Sequence, residues 1–159
     1  MSKLSWFYYA TSLIITAIIF SLIHVFTEPI VIGSSNGISN GNPGLFPLVF
    51  FTPFFIVSIM GTYKFANRLA LKMMKTMPFY SMIVLSFLFP SIVYSLTLKK
   101  AQELRVFVFE HNQLVTKIAE IPLLNTYSNS IFFTGWTFLA LHFTVIWIAY
   151  VLAFLKHKG

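Results

Sequence analysis

The sequence predicts an all-α integral membrane protein: a bundle of four transmembrane helices with an amphipathic outer segment between helices three and four. Three observations carry this. Four apolar stretches (Trp6–Phe26, Leu45–Tyr63, Phe79–Leu98 and Ile131–Leu155) contain no Asp, Glu, Lys or Arg, and His24 and His142 are their only histidines. At about 1.5 Å per helical residue, each is long enough to cross a hydrocarbon core roughly 30 Å thick. The chain is 57% hydrophobic and 9% charged, against the quarter usual in soluble domains, so the bilayer is its solvent. Residues 1–159 read as one membrane domain with transmembrane helices at about 6–26, 45–63, 79–98 and 131–155.

The first stretch follows Lys3, as the apolar run of a secretory leader follows its basic residues. Such leaders carry an apolar run of about 7–15 residues before a small-residue cleavage site. Here the run is longer and is followed by Thr27-Glu28-Pro29, so it reads as a retained helix. Trp6, Tyr8, Tyr9, Tyr63 and Tyr80 form an aromatic belt at the inner ends of the helices. The segment Gly33–Gly44 is built almost wholly of Gly, Ser, Asn and Pro, with two Asn-Gly turn signals, and reads as a flexible outer loop.

After the second stretch, Lys64, Arg68, Lys72 and Lys75 recur at helical spacing beside an apolar stripe of Phe65, Leu69, Met73 and Met77. This predicts a basic amphipathic segment on the inner interface, where each cation gains about 1 kcal/mol from anionic headgroups. Pro78 then opens the third helix. Ser81, Ser86, Ser91 and Ser95 surround Pro90 in that helix, which predicts a kink with hydroxyl compensation. The outer connector carries Leu104, Phe107, Val108, Leu114, Val115, Ile118 and Ile121 on a 3.6-residue rhythm. It is either an extension of the third helix or a separate surface helix. Its apolar stripe is the candidate partner surface.

Orientation follows from charge. With both termini inside, the inner side collects Lys3, Lys64, Arg68, Lys72, Lys75, Lys156 and Lys158 and no acid. The outer side holds Lys99, Lys100, Arg105 and Lys117 with all four glutamates, Glu28, Glu103, Glu110 and Glu120, and is formally neutral. The positive-inside rule therefore places both termini in the cytoplasm of a multi-pass plasma-membrane protein. The basicity reflects topology and anionic lipid, and no nucleic-acid partner is expected. Usage rich in Ile, Phe, Lys and Asn hints at a low-GC bacterium.

Several chemistries are excluded. Without cysteine there is no thiol catalysis, disulfide or cysteine-bound metal. Without aspartate, the intramembrane aspartyl chemistry of small four-helix peptidases is impossible. An enzyme would have to run on histidine and interfacial glutamate alone.

Within the membrane, Ala10, Ala17, Ser21, His24 and Glu28 fall on one face of the first helix. Gly135, Leu139, His142, Ala149 and Ala153 fall on one face of the fourth. Such small or weakly polar seams are expected to face neighbouring helices. His24, Glu28 and His142 form the candidate polar membrane site. His24 and Glu28, at i and i+4, are expected to hydrogen-bond at the bundle mouth, and His142 to bond a Ser or Thr on a neighbouring helix. An outer metal or proton site with Glu103, Glu110, His111 and Glu120 matches no ligand spacing. Haem ligation by the two membrane histidines fails on depth, since nine residues of offset amount to about 13 Å. No cofactor is expected.

Two function classes remain. The first is a non-catalytic component acting through protein contacts in the bilayer: an accessory subunit, or an assembly, regulatory or immunity-type factor of a larger membrane complex. The alternative is a small homo-oligomeric transporter or channel using Glu28, His24 and His142. Small multidrug transporters place a glutamate deep in their first helix, whereas Glu28 lies at the boundary of this one.

Overall fold

The computed structural model describes residues 3–30, 42–112 and 115–158. Its helices are α1 (Lys3–Val25), α2 (Phe46–Phe50), α3 (Thr52–Met73), α4 (Met77–His111), α5 (Asn129–Phe132) and α6 (Gly135–Lys158), with no strand among the described residues. Three of them, α1, α4 and α6, are long and apolar enough to cross a membrane, so the chain is an all-helical, membrane-embedded protein. The second apolar stretch meets the same test only as a pair, α2 with its preceding turn and α3, bent by 62°.

Proline chemistry makes that bend. Pro53 has no N–H for the Val49 carbonyl four residues back, and its ring crowds that turn. The Thr52 hydroxyl takes over, bonding the Val49 carbonyl at 2.9 Å and the Leu48 carbonyl at 2.8 Å.

Past the bend, α3 runs unbroken through Tyr63 to Met73. The basic segment is therefore a continuation of the helix that carries the second apolar stretch. Lys64, Arg68 and Lys72 are exposed on the same rod that carries the second apolar stretch, because charge marks a membrane boundary without ending a helix. Lys75 is not on their face. It sits in the turn to α4 at φ 66°, the left-handed region that favours glycine and costs another residue about 1 kcal/mol. The stripe runs only as far as Met73 on this helix, because Met77 opens α4; the buried edge of α3 is a different one, Ser58, Thr62, Ala66 and Ala70 at spacing four.

The third helix settles the outer connector in part. α4 continues to His111 and so extends the third apolar stretch instead of yielding to a separate helix. It remains helical through Pro90, with the Ser86 hydroxyl on the Met82 carbonyl and Ser91 on Phe87. Among the described residues, the chain then returns with the single turn Ile118–Glu120 as its regular structure before α5. The seven-residue stripe is thus not one helical face. Leu104, Phe107 and Val108 are on α4, Val115, Ile118 and Ile121 are on the return, and Leu114 lies outside the described residues. Arg105 donates twice to the Ile118 carbonyl, at 3.1 and 2.8 Å, and ties the return to the helix. Val108 and Ile121 are buried within this fold-back.

The fourth stretch is also interrupted. α5 ends at Phe132, and α6 starts at Gly135 behind a reciprocal pair in which Thr134 N–H bonds the Thr137 hydroxyl at 2.9 Å and Thr137 N–H bonds the Thr134 hydroxyl at 3.1 Å. Hydroxyls that bond the first-turn amides start a new helix where the hydropathy shows no break.

In the packing, α6 lies between α3 and α4, and α1 packs mainly on α3. One core cluster joins Ala66, Ala70, Phe79, Ala149, Tyr150 and Ala153, with Phe79 and Tyr150 stacked at 5.4 Å. The other, at the opposite end, joins Ile19, Phe20, Ile23 and Phe133. The Gly33–Gly44 loop falls largely outside the described residues, which resume at Asn42.

Candidate functional site

The seam expected on α1 is reversed. Its buried residues are Ser12, Thr16, Ile19, Phe20 and Ile23, whereas Ala10, Ser21, His24 and Glu28 are exposed and Ala17 is half-buried. Small size permits close packing without saying which face receives it. Ser12 and Thr16 bond their own helix carbonyls, at 2.7 Å each, and so pack inward as small satisfied residues. On α6 the expected seam is half right. His142, Ala149 and Ala153 are buried, but Leu139 is 42% exposed and nothing lies within 4 Å of where a Cβ on Gly135 would stand.

His142 finds the hydroxyl partner its position calls for, the Ser58 Oγ of α3 at 2.9 Å from Nε2. Its Nδ1 lies 3.0 Å from the Phe138 carbonyl, which can only accept, so Nδ1 carries the proton and Ser58 donates to Nε2. Next to it, Thr62 donates to the Ser58 carbonyl at 2.9 Å, and the Tyr9 hydroxyl of α1 therefore donates to Thr62 at 3.1 Å. This polar seam links α1, α3 and α6 in fixed donor directions. It breaks at the Ser58 carbonyl, which cannot pass a proton on, and both ring nitrogens of His142 are engaged. Chemically it is a lock between helices.

Removing one side of that lock has an asymmetric result. With His142 gone, the Ser58 hydroxyl can turn to a carbonyl of its own helix. With Ser58 gone, His142 Nε2 is buried without a donor. Ser58→Ala is expected to cost about 1 kcal/mol in the wild-type background and almost nothing in His142→Leu, read by unfolding in detergent. Equal costs in the two backgrounds would show that the bond contributes no stability.

His24 and Glu28 do not pair as expected. Helix α1 stops at Val25, so Glu28 has left the helical register, and its backbone N–H bonds the Thr126 carbonyl at 3.0 Å. His24 is exposed beside a groove of about 400 Å³ between the end of α1 and the start of α6, lined also by Ser21, Thr134 and Gly135. Glu103 is 4.0 Å from Lys99, and Glu120 caps its own turn at Thr116 and Lys117. Among the described residues no three His, Cys, Asp or Glu side chains come together, so Glu103, Glu110, Glu120 and His111 form no shared site there.

Sequence reasoning missed a buried polar knot at this same end. The side-chain amides of Asn42 and Asn129 bond reciprocally, at 2.6 and 3.0 Å, and Asn129 reaches the Phe26 carbonyl at 3.4 Å. Asn125 Oδ1 accepts from the Tyr127 and Ser128 amides, and Ser128 donates to the Leu123 carbonyl. Asn125, Thr126, Ser128 and Asn129 are all buried. The available signal was the Asn-Thr-Tyr-Ser-Asn-Ser run at 125–130, too polar to lie at the edge of an apolar stretch unless paired.

No protein-family model, no curated protein and no solved structure matches this chain.

Proposed function

We propose that this is a non-catalytic protein of a bacterial cytoplasmic membrane that acts through protein contacts in the bilayer, as an accessory, assembly, regulatory or immunity-type component of a larger complex. In this reading the chain crosses four times, the bent α2–α3 pair being the second crossing, and α4 projects on the outer side. Both termini are cytoplasmic, and the exposed Lys64, Arg68, Lys72 and Lys75 meet anionic lipid on the inner face.

One observation carries the reading. α1 turns Ala10, Ser21 and His24 outward, with Ala17 beside them, where a lipid-facing helix gains most from large apolar side chains. Small residues outward let another helix approach closely, and an outward histidine near the helix end gives it a polar contact. The outer stripe contributes less, because Val108 and Ile121 are covered by the chain itself.

The test is isolation from native membranes in mild detergent, with the complex sized and its components identified by mass spectrometry. Wild type is expected to carry a larger membrane protein in fixed ratio. The double variant Ala17→Leu/Ser21→Leu is expected to lose it with an unchanged unfolding midpoint. A clean homo-oligomer would instead revive the transporter or channel alternative, to be followed by flux assays on His24, Glu28 and His142 variants.

A further inference from the structure

A second groove, of about 380 Å³, lies on the other side of the α5–α6 break. Val93, Leu96, Thr97 and Lys100 line it from α4, and Ser130, Ile131, Thr134 and Trp136 from the α5–α6 side. The four α4 positions recur at helical spacing, so they form one continuous wall that grades from apolar to cationic. Leu98 ends the third apolar stretch, which puts Thr97 and Lys100 at the boundary between hydrocarbon and headgroups. Trp136, 66% exposed, is the residue type that settles at that depth.

The two adjacent lysines differ. Lys99 is 4.0 Å from Glu103, while no carboxylate among the described residues lies within ion-pair distance of Lys100. The groove therefore pairs an uncompensated ammonium and the Ser130 hydroxyl at its rim with an apolar wall below them. The grooves along α1 offer no lysine or arginine.

We propose that this groove holds one anionic phospholipid, its phosphate group at Lys100 with the Ser130 hydroxyl, and an acyl chain along Val93, Leu96 and Ile131; the Thr97 hydroxyl is spent on the Val93 carbonyl at 2.8 Å and only lines the wall. The charge selects the occupant. A zwitterionic headgroup brings its own cation to the rim, and an apolar helix would leave Lys100 without a counter-charge.

Trp136 sits in the groove and reports on it. With Trp6→Phe and Trp147→Phe, it is the sole tryptophan, and the protein is reconstituted into bilayers of brominated phosphatidylglycerol or brominated phosphatidylcholine. Relative association from quenching is expected to favour the anionic lipid about fivefold, the ratio that one cation near such a surface supports. Lys100→Gln is expected to abolish the preference and Lys99→Gln to retain it. Native mass spectrometry of wild type and Lys100→Gln counts the retained lipid without removing any tryptophan. No preference in the parent protein, or equal loss in both lysine variants, would overturn the proposal. Displacement by excess inorganic phosphate would overturn the lipid assignment in favour of a soluble phosphate site.

Discussion

Gly61→Ala is expected to destabilise the protein by about 3 kcal/mol, the upper part of the usual range for overpacking a filled contact. A Cβ at Gly61 would stand against Tyr9 Cδ2, with Cγ and Cε2 each only 2.9 Å away. The ring thus lies across the α3 backbone, and contact near its root cannot be relieved by swinging the far end aside. The methyl must push α1 away from α3, and the Tyr9–Thr62 hydrogen bond goes with it. The nearby edge-on contact of Trp6 with Phe65, at 5.4 Å, belongs to the same seam. Unfolding of the purified protein in detergent measures the loss. Removing the ring gives the control: Gly61→Ala added to Tyr9→Ala should cost almost nothing further, a coupling of neighbours that independent sites do not show. A Gly61→Ala protein as stable as wild type would mean that α1 does not pack in this way.

Asn129→Leu is expected to have a comparable effect, about 3 kcal/mol, by a different route. Asn129 is fully buried. Its loss strands the Asn42 amide group and weakens the hold on the Phe26 carbonyl. Asn42 is half-buried, so leaving it without a partner costs about 1 kcal/mol, the low end of the range for a polar group that loses its bond, and the repacking around position 129 supplies the rest. The larger leucine also meets Gly44, whose Cβ position would be only 2.6 Å from Asn129 Nδ2. Hydrogen exchange adds a local reading: the Glu28 amide, bonded to the Thr126 carbonyl, should exchange faster in the variant. Because the cost lies in the stranded partner, Asn42→Leu/Asn129→Leu should recover part of the stability. A double variant worse than the sum of the singles would contradict that account.

The polar seam and the polar knot divide the protein between them. Tyr9, Thr62, Ser58 and His142 hold α1, α3 and α6 through mid-length. Asn42, Asn125, Ser128 and Asn129 hold the ends of the helices to the return segment. Their hydrogen bonds are directed inward, whereas α1's outward face, the exposed cations of α3 and the Lys100 groove turn their chemistry to the surroundings.

Of the candidate polar site, His142 was legible because a histidine deep in an apolar stretch has to find a hydroxyl, and Ser58 supplies it. The pairing of His24 with Glu28 was not, because it assumed a helix that ends at Val25. The basic residues of α3 were legible as a helical series, but Lys75 was not distinguishable from them, since a left-handed turn leaves no mark in charge spacing. Gly61 could have been noticed as a small residue in an apolar helix. That it receives Tyr9 depends on a residue 52 positions away in the chain.

The sequence by itself determined the solvent and the lengths. Apolar stretches without charge must lie in lipid, and their backbone groups must be satisfied within helices there, so all-helical, membrane-embedded architecture follows from hydropathy alone. Only the tertiary structure decided where those helices break, which face of α1 turns inward, and that the connector after α4 folds back upon it. Hydropathy measures transfer from water to hydrocarbon, and in a membrane both the packed face and the lipid face are apolar. The choice between them rests on shape and on a few directed hydrogen bonds, between residues that meet only after folding.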